Sequence, residues 1–123
     1  MDPKTYKQIA VIGVSQDASK YGHRIFRDLL NAGYSVTGVN PKGGFVLGRR
    51  LCTSLEELEP KPDLVITVTP PAVTEEIVEQ CNKLGIRSLW MQPGSESDKA
   101  AAKALEYGIR AIVACFMVKA GVW

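Results

Sequence analysis

The sequence predicts an α/β domain, in which a five-stranded parallel sheet lies between two layers of helices. Three observations predict it. Short runs rich in apolar residues recur at Ile9 to Val14, Ser35 to Val39, Leu64 to Val68, Ile86 to Met91 and Ile109 to Ala114, with helical periodicity between most of them. Within the runs apolar residues are continuous rather than strictly alternating, which suits strands covered on both faces. The runs also stand far enough apart for the long crossovers that parallel neighbours require.

The first strand is Ile9 to Val14. From about Gly22 to Ala32 the residues Ile25, Phe26, Leu29 and Leu30 recur at helical spacing, and Asn31 and Gly33 supply the stop. Ser35 to Val39 is the second strand. The loop Asn40-Pro41-Lys42-Gly43-Gly44 then forms turns that no helix crosses. Ser54-Leu55-Glu56-Glu57 reads as a capping box that opens a short helix, with Leu55 and Leu58 facing inward. Leu64 to Val68 is the third strand. Thr69-Pro70-Pro71 follows, then a helical stripe of Val73, Ile77, Val78, Cys81 and Leu84 that Gly85 ends. Ile86 to Met91 is the fourth strand. Ser95-Glu96-Ser97-Asp98 opens a helix reaching Tyr107, Gly108 closes it, and Ile109 to Ala114 is the fifth strand.

Together these elements predict a Rossmann-like three-layer αβα sandwich with strand order 3-2-1-4-5. Ligands of such sheets bind outside the carboxyl ends of the strands where the order reverses, here expected between strands one and four.

A chain of 123 residues fits one domain, spanning 1–123. Its composition, 46% apolar and 23% charged, is that of a globular protein. The net charge of +2, with no basic run interleaved with aromatics, argues against a general nucleic-acid binder. The opening MDPKTYKQIA lacks the apolar core of a signal peptide, and no run of membrane-spanning length occurs, so a cytoplasmic protein without a membrane partner is expected. Cys52, Cys81 and Cys115 are odd in number and lack metal-ligand spacing, which points to neither a disulfide framework nor a zinc site.

The loops after the strands carry the chemistry. After strand one the chain runs Gly13-Val14-Ser15-Gln16-Asp17-Ala18-Ser19-Lys20-Tyr21-Gly22. The dinucleotide fingerprint needs glycine at positions 13, 15 and 18, and this chain places Gly, Ser and Ala there. Gly13 lets backbone approach a phosphate, Ser15 offers a hydroxyl, and the amides opening the helix near Gly22 favour an anion, with Lys20 nearby. After strand two an NAD site carries Asp or Glu, whereas Asn40-Pro41-Lys42 stands here. Lys42, with Arg49 and Arg50 following, suits a ligand with an extra ribose phosphate, either NADP or coenzyme A.

Gly13-Val14-Ser15 with Lys20-Tyr21-Gly22, Gly33-Tyr34 leading to Val39-Asn40-Pro41-Lys42, Pro70-Pro71, and Trp90-Met91-Gln92-Pro93-Gly94-Ser95 form an ordered set. Over nearly its whole length the chain resembles the small stand-alone CoA-binding proteins of the Rossmann class, which are similar to the amino-terminal CoA-binding domain of the succinyl-CoA synthetase α subunit. The resemblance implies coenzyme A or acyl-CoA as cofactor. It implies that Gly13, Val14 and Ser15 line the phosphates, that Asn40, Pro41 and Lys42 hold the adenosine 3′-phosphate end, and that Val68, Thr69 and Pro70 flank adenine and ribose. Met91 and Gln92 would face the pantetheine arm, whereas Trp90 reads as core. Members commonly place arginine or asparagine before a cysteine at the end of strand five, and Ala114-Cys115-Phe116-Met117-Val118 is more apolar.

Acyl transfer or ligation needs a nucleophile with a base in reach, or a phosphorylatable histidine with a nucleotide site. The single histidine, His23, reads as a surface helix residue or an anion contact, and no paired carboxylates sit together in the expected cleft loops apart from Asp17 and the helix-opening Glu96 and Asp98, the last two of which read as caps that complement the helix dipole. A binding module without its own catalysis is therefore expected, with an NADP-dependent reductase or redox regulator as the alternative. Topology puts Cys115 at the carboxyl edge, where it could meet the ligand thiol, and Cys81 on an inward helical stripe. Phe116, Val118, Val122 and Trp123 form an apolar tail, expected to be hidden against the domain's own sheet, in a homodimer or against another protein.

Overall fold

The computed structural model describes residues 5–123, so the first residues of the opening segment lie outside it. The major strands are β1 (Ile9–Ile12), β2 (Val36–Val39), β5 (Leu64–Thr67), β6 (Ser88–Met91) and β7 (Arg110–Val113). All neighbours pair in parallel. The helices are α1 (Tyr21–Asn31), α2 (Pro71–Leu84), α3 (Asp98–Glu106) and a single turn, α4 (Phe116–Lys119). The expected three-layer αβα sandwich is the fold.

The strand order corrects the expectation. The sheet runs β2-β1-β5-β6-β7, so counted by major strands the order is 2-1-3-4-5 rather than 3-2-1-4-5. The third major strand, β5, inserts beside β1 instead of lying outside β2. Burial gives the reason: all of Leu64, Val65, Ile66 and Thr67 are buried, as a central strand requires, whereas β2 carries Thr37 and Gly38 and tolerates an edge. The order therefore reverses between β1 and β5, and the switch point lies there rather than between the first and fourth strands.

Successive residues of a strand face opposite sides of the sheet, and the core divides accordingly. Ala10, Ile12, Val65, Leu89 and Met91 pack under α2 and α3 with Ile77, Val78, Cys81, Ala100 and Ala104. Ile9, Val11, Leu64, Ile66 and Trp90 pack under α1 and α4 with Ile25, Phe26, Leu29, Phe116 and Met117. Trp90 and Phe116 meet edge to face with ring centroids 5.1 Å apart. Right-handed crossovers require this division, because the chain travels one way across the sheet through α1 and the other way through α2 and α3.

Several local expectations shift. Around Ser54 a single 3-10 turn forms, Leu55–Glu57, and Ser54 makes no side-chain cap. Glu57 instead accepts from the Thr53 backbone N–H at 2.8 Å and from the Thr53 hydroxyl, one residue earlier than the capping box predicts. The helix expected from Ser95 begins at Asp98, capped by Ser97, whose hydroxyl accepts from the Ala100 N–H at 3.2 Å. Ser95 is buried, with its hydroxyl 2.9 Å from Thr67 Oγ1. A small antiparallel hairpin, β3 (Phe45–Val46) and β4 (Arg49–Arg50), occupies the loop after β2. It turns through Leu47 and Gly48 at φ 53° and 76°.

The apolar tail is only partly covered by its own domain, for Val118 and Trp123 stay 61% and 41% exposed. Phe116 and Met117 are fully buried, and the Trp123 indole N–H donates to Asp28 Oδ2 at 2.7 Å while its ring meets Tyr21 edge to face at 5.5 Å. Among the described residues no helix is long and apolar enough to cross a membrane.

Candidate ligand-binding site

The loops after β1, β2 and β5 converge at the switch point, and two glycines make their approach possible. Gly13 has φ 103°, and a β-carbon there would lie 2.2 Å from the Val68 carbonyl oxygen. A β-carbon on Gly22 would lie 2.1 Å from the Gly13 carbonyl oxygen. The start of α1 is thereby seated directly on the β1 loop, the close helix packing that the final glycine of a dinucleotide fingerprint provides. In this chain that glycine comes later, at Gly22.

Hydrogen bonds fix the shape of the β1 loop. Ser15 Oγ accepts from the Asp17 N–H at 3.0 Å, and Asp17 Oδ1 accepts from the Ser19 N–H at 2.9 Å and from its hydroxyl at 2.7 Å. The Ser19 hydroxyl and amide hold the Asp17 carboxyl below the usual carboxylate range. His23 is buried rather than on the surface, and its Nδ1 lies 2.8 Å from the Ser15 carbonyl oxygen. A carbonyl oxygen can only accept, so Nδ1 carries the proton and His23 staples the loop to α1.

The β2 loop is tied to the β1 loop by Asn40, whose Nδ2 donates to the Val14 carbonyl at 2.8 Å while its Oδ1 accepts from the Lys42 N–H at 2.9 Å. Both ends of the amide are thus committed to backbone. Pro41 and Lys42 are exposed, as are Lys20 and Pro70. Thr69 Oγ1 lies 2.7 Å from Thr74 Oγ1, joining the β5 loop to the first turn of α2. Between these loops and α2 lies a cavity of about 150 Å³, whose lining includes Gly13, Val39, Pro41, Leu55, Thr69 and Val73 and the charged Glu76. Leu55 and Val73 were legible only as core-facing residues. Their place in the cleft depends on the strand order.

The structure separates the sequence-predicted residues. Gly13, Val14, Ser15, Asn40, Pro41, Val68 and Thr69 come together at the switch point, with Lys20, Tyr21 and Gly22 at the start of α1. Val14 is fully buried, so only its backbone is available there. Met91, expected to face a ligand, has no exposed surface and packs under α2 and α3. The Gln92 side chain is likewise only 1% exposed and turns inward. Its Nε2 donates to Tyr21 Oη at 3.0 Å and to Cys115 Sγ at 3.5 Å, and its Oε1 accepts from the Phe116 N–H at 2.6 Å. The first position after a strand, which Gln92 holds behind β6, gives no sequence signal for such a bridge.

Comparison with known proteins now bears on the site. The chain matches the CoA binding domain family over residues 7–121. It is 28% identical over 116 residues to acetate–CoA ligase (ADP-forming) I of Archaeoglobus fulgidus, covering 86% of this chain and 17% of that protein. With the α subunit of acetate–CoA ligase (ADP-forming) I of Pyrococcus furiosus it shares 29% over 120 residues, 85% of this chain and 26% of the other. The chain spans between 12% and 26% of the length of the ligase sequences that it matches. A solved structure of a conserved hypothetical protein from Pyrococcus furiosus superposes with a TM-score of 0.87 at 32% identity, covering 92% of this chain and 98% of that one. A dinucleotide-forming acetyl-coenzyme A synthetase of Ca. Korarchaeum cryptofilum superposes with a TM-score of 0.74 at 26% identity, over 85% of this chain and 25% of that one. The sequence match runs through every strand that builds the crevice, and by that match the chain belongs to the CoA binding domain family.

Proposed function

We propose that this chain binds coenzyme A or an acyl-CoA, without covalent chemistry on the acyl group, in the crevice where the loops after β1, β2 and β5 meet. The observation that carries this reading is the seating of Gly13 against Val68, which leaves bare backbone at the switch point, beside an exposed lysine where NAD sites hold a carboxylate. In the proposed pose the backbone of Gly13 and Val14 and the start of α1 meet the diphosphate, with Ser15 and Lys20 beside them. Lys42 pairs with the 3′-phosphate, and Val68, Thr69 and Pro70 flank the adenosine at the cavity. Met91 and Gln92 shape the pantetheine end from within rather than touching it.

The ligase activity in the relatives' names belongs to much longer proteins, of which this chain spans between 12% and 26%. His23 is spent on Ser15. A carrier, sensor or regulatory role follows, and the free thiols Cys52, Cys81 and Cys115 suit a reducing cytoplasmic setting. NADP is the competing ligand, because its 2′-phosphate would also pair with Lys42.

Isothermal titration with CoA, NADPH and NAD tests the reading. CoA is expected to bind at least tenfold tighter than either dinucleotide. Equal or tighter binding of NADPH or NAD overturns it.

A further inference from the structure

We propose that Glu76 reads the base of the bound ligand: its carboxylate accepts from the exocyclic amino group of adenine and so selects a 6-amino purine against a 6-oxo purine. The presence of a CoA-like ligand in the crevice rests on the reading above; the choice of base rests on the wall that α2 turns toward the cavity.

From α2 the cavity takes Val73, Glu76, Ile77 and Gln80 into its lining. These are positions i, i+3, i+4 and i+7, so they form one stripe of the helix. A stripe turned inward is expected to be apolar, and Val73 and Ile77 meet that expectation. Glu76 and Gln80 break it. The neighbouring carboxylates of α2 face α3 and are in use there. Ser97 donates to Glu75 Oε2 at 2.6 Å, and Glu79 takes the Tyr107 hydroxyl at 2.7 Å and the Lys103 ammonium at 2.9 Å. By contrast, the side chains of Glu76 and Gln80 make no hydrogen bond or ion pair among the described residues. Ser54 is also in the lining, and its hydroxyl makes no cap to the turn that it opens. Three polar side chains without a partner thus border one cavity.

The lining describes the occupant. A volume of about 150 Å³ is well below the roughly 300–1,000 Å³ that encloses a drug-sized ligand, so the cavity takes one part of the ligand rather than the whole. Val39, Leu55, Val73 and Ile77 give it apolar sides. Gly13 and Pro41 line it as well, and they belong to the loops assigned to the diphosphate and the 3′-phosphate. What enters between those loops is therefore the group carried by the ribose, which is the base. A purine buries two apolar faces and keeps its hydrogen-bonding groups on its edge, as this lining requires.

The polar groups then choose among purines. A carboxylate only accepts, whereas a side-chain amide both donates and accepts. Adenine presents an amino donor beside a ring-nitrogen acceptor. Glu76 takes the amino proton, and the Gln80 amide N–H serves the ring nitrogen. Hypoxanthine or guanine would set a carbonyl oxygen where the amino group stood, and two acceptors would face each other. Glu76 is solvent-exposed, so its charge stays hydrated in the free protein.

Calorimetric titration with CoA and with its deaminated analogue, in which hypoxanthine replaces adenine, tests this on the parent protein, Glu76→Gln and Glu76→Ala. The two ligands share every phosphate and the whole pantetheine arm, so the ratio of their affinities isolates the base. That ratio also cancels the change in net charge that each substitution brings. The parent should bind CoA about tenfold tighter than the analogue, or more, as for a hydrogen bond to a charged group. Glu76→Gln should narrow the ratio to about threefold or less, because its amide can turn a donor toward the carbonyl oxygen, and Glu76→Ala should leave little preference. Both variants should fold, since Glu76 has no partner to lose. CoA binding without preference in the parent, or a preference that both variants retain, overturns the assignment to Glu76 and leaves the crevice reading standing. A parent that binds neither ligand overturns that reading and this one with it.

Discussion

The Asn40 side-chain amide donates to the Val14 carbonyl oxygen at 2.8 Å while its own oxygen accepts from the Lys42 N–H at 2.9 Å. One residue thus clamps the loops after β1 and β2 to each other, and it does so with both polar ends. An aspartate here would be isosteric, yet it would turn a carboxylate oxygen toward a carbonyl oxygen. The amide nitrogen excludes the acidic residue of an NAD site, and the amide oxygen holds the Lys42 backbone at the crevice rim.

Asn40→Asp is therefore expected to destabilise the fold by about 1–3 kcal/mol, the usual range when a partly buried acceptor loses its donor. Urea denaturation monitored by circular dichroism checks this. A midpoint unchanged from the parent shows that the clamp contributes nothing.

Lys42→Ala removes an exposed side chain whose carbon stem covers little, so the fold should be untouched. CoA binding should weaken by about 1–3 kcal/mol, as for loss of a charge-assisted contact, and dephospho-CoA should be nearly unaffected. Calorimetry with both ligands is the measurement. An equal loss for both moves Lys42 away from the 3′-phosphate.

Most elements were legible in the sequence because apolar runs and helical stripes report burial directly. Strand order was not, since periodicity says that Leu64 to Val68 is buried but not beside which neighbour. A hint was present: Leu64-Val65-Ile66 is more apolar than Val36-Thr37-Gly38-Val39, and the more apolar strand belongs inside. The glycine loops and the Asn40-Pro41-Lys42 turn were legible because backbone approach and turn chemistry demand particular residues. The hairpin at Phe45 to Arg50 was not, because Leu47 at φ 53° is a residue that turn preferences disfavour. The inward turn of Gln92 was equally hidden, for it depends on the Phe116 amide brought up by α4.

The thiols provide a prediction in pH. Burial pushes the Cys115 thiol up, but the Gln92 amide, the Val118 N–H, the Tyr21 hydroxyl and the Met117 N–H outweigh it and bring the thiol below its ordinary value. Because the folded Cys115 ionises below the unfolded thiol, it contributes stability above the unfolded value of about 8.5, and that contribution is lost as pH falls through the folded value. Cys115→Ser should consequently cost more stability at pH 9.5 than at pH 6. Iodoacetamide at pH 7.5 should label Cys115 faster than the same cysteine in urea, and Cys81 should stay unlabelled until the chain unfolds. Cys115 labelling no faster than in the unfolded chain contradicts the donor set described around Sγ.

The central claim is that CoA occupies the crevice at the switch point between β1 and β5. Nitrogen-edited NMR during titration with CoA tests it most directly, because each backbone amide reports separately. The account predicts that the largest shifts fall on Gly13, Val14 and Ser15, on Lys42, and on Val68 and Thr69, with α3 silent. Saturating CoA that leaves those amides unmoved, or that shifts residues on the opposite edge of the sheet instead, contradicts it.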